Sequence, residues 1–141
     1  RGIAENIVNV IIHGFITPAK ASLFRLEMDV LLAPYQRKVG LATGSLTTEK
    51  WMSPLKVFEY MAAGKAMISS DIEVLREVLD SGRNCLLCPP EDLSSWVNAL
   101  TELNEDETLR MRLAESALTD IKFRYSWKVR AGRILQELDH D

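Results

Sequence analysis

At 141 residues, with 47% hydrophobic and 26% charged side chains, the chain has the length and composition of one globular domain. A net charge of -3 argues against nucleic-acid binding through bulk electrostatics, so any phosphate binding must be local. No apolar run approaches the roughly 20 residues that span a bilayer, and the start lacks a basic-then-apolar leader pattern, so a soluble, cytoplasmic protein is expected.

Ile7 to Ile12, I-V-N-V-I-I, is β-branched and nearly all apolar, which predicts a strand covered on both faces. His13 to Pro18 follows as a loop at its carboxyl end, the side of an open α/β sheet where ligands bind. His13 is read as a strand-end histidine, since no second His or Cys accompanies it. Ala19 to Met28 predicts a short helix with Leu23 and Leu26 inward, and Asp29 to Ala33 a second buried strand stopped by Pro34. Tyr35 to Met52 is polar and irregular; it is either a loop that folds over a ligand or a plain connector.

Ser53 to Ser70, S-P-L-K-V-F-E-Y-M-A-A-G-K-A-M-I-S-S, organises the rest. Ser53 is a good N-cap, Pro54 suits a first helical position that needs no amide proton, and Gly64 sits where a left-handed cap ends a helix. A helix over 54–63 follows, with Leu55, Val57, Phe58, Met61 and Ala62 on its buried arc and Glu59 at the border. Its opening offers the amides of Leu55 and Lys56 and the positive dipole end, an anion site, with the Glu59 carboxylate about one turn deeper to accept hydroxyl protons. Ala66 to Ser69 reads as a buried strand.

Asp71 is expected to cap a helix over 72–79, and Asn84 to Cys88 to form a fourth strand after a turn. Helix 92–103 carries Leu93, Trp96, Val97, Leu100 and Leu103 at helical spacing. Asn104 with Glu107 makes a capping-box pattern for the next helix, and Ser126-Trp127 opens a last one. Trp96 and Trp127 fall on apolar stripes and are read as core. Cys85 and Cys88 have C-x-x-C spacing, but in a strand they point to opposite faces, so they are read as two buried, reduced thiols. Strands alternating with helices give the fold class α/β, a Rossmann-like parallel sheet with helices on both faces.

The Ser53–Ser70 stretch resembles the donor-binding signature of the retaining GT-B glycosyltransferases of group 1, family 4. Asp29 to Pro34 resembles that family's A-D-V-L-L-x-P element, and Tyr125-Ser126-Trp127 its closing F-S-W helix. The family's earlier glutamate, separated from the second by seven intervening residues, falls on Trp51, with Glu49 close by; a glycine expected before the fourth strand is Asn84. The resemblance implies that residues 1–141 are a partial C-terminal donor-binding domain of a GT-B enzyme. It implies transfer of a sugar from a nucleotide diphosphate sugar to an acceptor hydroxyl with retention, with no metal or other cofactor. Carried over by position, Glu59 holds the ribose hydroxyls, Ser53, Pro54, Leu55 and Lys56 form the diphosphate end, and Gly14, Phe15 and Ile16 line the nucleobase. No catalytic residue is assigned, because the acceptor site and the basic phosphate pair belong to parts outside these residues, and this chain alone is expected to bind weakly and catalyse nothing. The expected partners are the donor, the N-terminal acceptor domain, a second copy at an open sheet edge, and the inner membrane surface for the whole protein. A noncatalytic flavodoxin-like or receiver-like module is the alternative. Such a module needs clustered acids at strand ends, whereas Asp29 precedes its strand and Asp71 is read as a cap.

Overall fold

The computed structural model describes residues 9–36 and 55–126, together with 129 and 131. Within them, β1 (Val30–Ala33), β2 (Ala66–Ser70) and β3 (Leu86–Cys88) form a parallel sheet in that order. Val30 pairs with Ala66 and Ala33 with Ser69, and on the other side of β2, Ile68 pairs with Leu86 and Ser70 with Cys88. The helices are α1 (Pro18–Glu27), α2 (Leu55–Ala62), α3 (Glu73–Arg76), α4 (Leu93–Glu105) and α5 (Glu107–Phe123).

β2 is the central strand and is buried at every position. Strand alternation sends Met67 into a core with Val57, Met61, Leu75, Cys85 and Ala117, while Ala66 and Ile68 join a second core with Cys88, Trp96, Ala99, Leu103 and Leu113. The sheet is thus covered on both faces, and α5 contributes to both layers. Cys85 and Cys88 fall in opposite cores as free thiols. Trp96 is a core residue whose indole Nε1 donates to the Pro89 carbonyl at 3.0 Å.

Several expectations are corrected. Residues 9–12 of the expected first strand lie outside the sheet, with Val10, Ile11 and Ile12 exposed, because β-branched backbone becomes a strand only where another strand pairs with it. The described sheet therefore has three strands, and residues 7 and 8 lie outside the described part. Leu23 and Leu26 of α1 are exposed rather than inward. Asp71 does not cap a helix: α3 starts at Glu73 after Ile72, and the Asp71 carboxylate takes the Arg76 guanidinium with both oxygens, at 2.6 and 2.7 Å. Asn104 lies inside α4, and Asp106 caps α5 by accepting from the Leu109 amide at 2.8 Å. Nearly all of the expected last helix, with Trp127, lies outside the described residues.

Candidate functional site

Because β1 and β2 are parallel neighbours, the α2 segment that joins them runs against them, and its opening lies at their carboxyl ends. Burial explains why this helix holds its place. Val57 and Met61 are fully enclosed, contributing about 1.5–3 kcal/mol each, and Phe58 packs its ring 5.6 Å from that of Tyr125. Gly64 ends the segment at φ +62°, a left-handed conformation that glycine adopts without strain. The buried arc is narrower than the spacing predicts: Leu55, in the first turn, is 66% exposed, and Ala62 is exposed too. Lys56 is exposed beside Leu55, whereas Ser53 and Pro54 lie outside the described residues.

Glu59 stands about 6 Å along the axis from Leu55. Its side chain is 56% exposed, and Oε2 lies 3.4 Å from Nη1 of Arg25 in the last turn of α1. The other arm of that guanidinium donates to Ser22 Oγ at 2.9 Å. A carboxylate offers about four lone-pair directions, so one contact of this length among the described residues leaves acceptor capacity for a ligand.

Beyond the last paired residue of β1, the chain is held by a side chain. The Ser70 hydroxyl, fully buried at the end of β2, accepts from the Tyr35 amide and donates to the Tyr35 carbonyl, both at 2.7 Å. Ser69 donates to the Ala33 carbonyl at 3.3 Å. Tyr35 is half-buried, and the Lys56 ammonium lies 5.9 Å from its ring centroid. Burial first, then the neighbouring Tyr60 and Glu59, push the Tyr35 phenol above its ordinary range. Burial and Glu59 likewise push the Tyr60 phenol up, against the opposing charge of Arg25. Arg25, Tyr35, Lys56, Glu59 and Tyr60 therefore form one polar cluster around α2.

Of the sequence candidates, the structure brings Lys56, Glu59 and the Leu55 backbone together on one helix. Gly14, Phe15 and Ile16 lie in the segment before α1, where Phe15 is 94% exposed and the His13 ring rests 4.7 Å from that of Phe24 on α1. Arg25, Tyr35 and Ser70 carry no motif that marks them for this site. Ser70 does carry a weaker signal, as a polar residue that ends a fully buried strand.

A concavity of about 620 Å³ lies elsewhere among the described residues, between α3 and the end of α5, and none of the predicted donor residues lines it. Its arginines are engaged: Arg76 by Asp71, and Arg83 by Asp80 at 2.9 Å and by Asp120 at 2.7 Å. Asp120, with a side chain 7% exposed, also accepts from Asn84 Nδ2 at 2.8 Å. Asn84 in turn donates to the Val78 carbonyl and accepts from the Asp80 amide. Asn84, where the resemblance expects glycine, thus ties the turn before β3 to α5, so this concavity is walled by a structural network of balanced charge. Among the described residues, no three His, Cys, Asp or Glu side chains converge as a metal site, and no helix is long and apolar enough to cross a membrane.

Comparison with known proteins shows the family and the fold. Residues 2–106 match the family model of the glycosyl transferases group 1. A phosphatidyl-myo-inositol mannosyltransferase of Mycobacterium tuberculosis is 34% identical over 136 residues, covering 88% of this chain and 36% of that protein. The protein of the same name from Mycobacterium leprae is 33% identical over 78 residues, 55% of this chain and 21% of its own length. The chain therefore spans well under half of the relatives it matches. Among solved structures, the C-terminal domain of a glycosyl transferase group 1 family protein from Francisella tularensis superposes with a TM-score of 0.64 at 20% identity, over 81% of this chain and 52% of that one. Sucrose-phosphate synthase from Thermosynechococcus elongatus superposes at 0.66 and 18% identity, over 90% of this chain and 29% of that one. The parallel sheet with its helices is the fold of such C-terminal domains.

Proposed function

Since the chain belongs to the group 1 glycosyl transferases, we propose that the cluster around α2 holds the nucleotide diphosphate sugar of a retaining hexosyl transfer. The observation that carries this reading is the half-exposed Glu59 carboxylate, one turn inside a helix that opens at the carboxyl ends of β1 and β2. In it, Glu59 accepts the two ribose hydroxyl protons. The amides of Leu55 and Lys56, with the Lys56 ammonium, face the diphosphate. Gly14, Phe15 and Ile16 supply the nucleobase wall.

The chemistry asked of these groups is electrostatic. As the sugar leaves, negative charge grows on the departing diphosphate, and fixed amides, a helix dipole and a cation stabilise that charge without reorganising. In this reading no metal takes part, and the acceptor hydroxyl is presented by another part of a longer protein. The mannosyltransferase relatives favour a mannosyl nucleotide as donor and an acceptor at a membrane surface. A second copy packed along the β1 edge, where Leu32 is 40% exposed, belongs to the same reading.

Thermal shift of the full-length protein with UDP, GDP, ADP and their sugars tests this. One nucleotide raises the melting temperature, since ligand at 100 times Kd stabilises by about 2.7 kcal/mol. No shift with any of them at millimolar concentration contradicts it.

A further inference from the structure

Tyr35 is anchored in an unusual way for a residue just past a strand. Its amide and its carbonyl both bond to one buried hydroxyl, that of Ser70, which fixes the backbone on both sides of its Cα. The half-buried ring packs against the core that holds Val57 and Met61, so it has little freedom to turn. Over this fixed ring lies the ammonium of Lys56, a residue of the first turn of α2. A lysine on a flexible four-carbon stem otherwise samples a wide volume, and an aromatic face attracts the cation and narrows that range.

We propose that Tyr35 is a positioning residue for the donor diphosphate: clamped by Ser70, its ring holds the Lys56 ammonium at the opening of α2. The proposal rests on the donor-site reading above. Its chemical content is that Tyr35 acts on the phosphates through Lys56 and not on the base or ribose. Removing the ring therefore weakens nucleoside diphosphate binding and leaves nucleoside binding alone. The hydroxyl of Tyr35 is not required, because a phenyl face also attracts a cation.

The test is calorimetry on the full-length protein, with whichever of UDP, GDP or ADP gives the largest thermal shift and with the matching nucleoside. Tyr35→Leu is expected to weaken the diphosphate about threefold to tenfold and the nucleoside less than about twofold, while Tyr35→Phe stays within about twofold of wild type. Tyr35→Leu added to Lys56→Met is expected to cost nothing further. Equal losses for diphosphate and nucleoside, unchanged binding by Tyr35→Leu, or full additivity with Lys56→Met each overturn the proposal while leaving the donor site standing. Wild-type protein that binds none of the nucleotides overturns the donor site and the proposal together. A measurement independent of any variant's folding is the NMR shift of the Lys56 Hε protons in the unliganded wild type. They are expected upfield of those of Lys65 through the Tyr35 ring current, and coincidence of the two overturns the proposal.

Discussion

Arg25 of α1 and Glu59 of α2 form an ion pair, Nη1 to Oε2 at 3.4 Å, that joins two helices at the mouth of the candidate donor site. The carboxylate is 56% exposed, so water screens the pair. An exposed pair of this kind contributes about 0–1 kcal/mol. Arg25→Gln is therefore expected to change stability by less than about 1 kcal/mol and nucleotide affinity by less than about fivefold, read by denaturant unfolding and calorimetry. A larger loss of stability makes the pair a structural tie rather than a loose neighbour of the ligand.

Ser70→Ala removes the hydroxyl that serves both the amide and the carbonyl of Tyr35. Unmet polar groups in so enclosed a place cost about 1–3 kcal/mol, and the denaturant midpoint is expected to fall accordingly. Ser70→Thr, which keeps the hydroxyl, tests whether the added methyl fits beside β1.

Asp120 gives the fold an acid-sensitive tie. Burial pushes its carboxyl up, but the hydrogen bonds from Arg83 and Asn84 and the charge of Arg83 outweigh burial and hold it below the ordinary carboxylate range. A group depressed in the folded state adds stability that is fully present above its unfolded value, about 4, and is lost as pH falls through the folded value. Asp120→Asn is expected to cost about 2 kcal/mol at pH 7 and progressively less below about pH 4, seen as converging melting curves.

The two cysteines are expected to resist a maleimide in the native protein and to react on unfolding, as mass spectrometry records. Burial pushes the Cys85 thiol up to about 12 and raises that of Cys88. The neutral thiol of Cys85 therefore favours the folded state below the unfolded value of about 8.5, and that contribution declines as pH rises from there.

The features legible in the sequence are those governed by local rules. Gly64 ends α2 at positive φ, and Val57 and Met61 face the core at the expected spacing. Cys85 and Cys88 enter opposite layers as strand alternation requires. The features not legible there depend on partners distant in sequence. Tyr35 and Ser70 are 35 residues apart, so nothing local pairs them. Arg25 turns toward α2 because a carboxylate waits there, while Leu23 and Leu26, on the expected inner stripe, face out because no described element covers them. Asp71 looked like a cap until Arg76 competed for its oxygens. Ile7 to Ile12 has strand composition, but residues 9–12 find no paired backbone among the described residues.

The central claim is that Glu59 takes up the sugar ring of the donor nucleotide. Calorimetric titration of the best-binding nucleoside diphosphate into full-length wild type and Glu59→Gln tests it most directly. Loss of a charge-assisted hydrogen bond predicts binding weaker by about tenfold or more, with a melting temperature within about 2 °C of wild type, since the side chain is half in water. Undiminished affinity in Glu59→Gln, or a collapsed melting temperature with binding retained, contradicts the claim and makes the carboxylate structural.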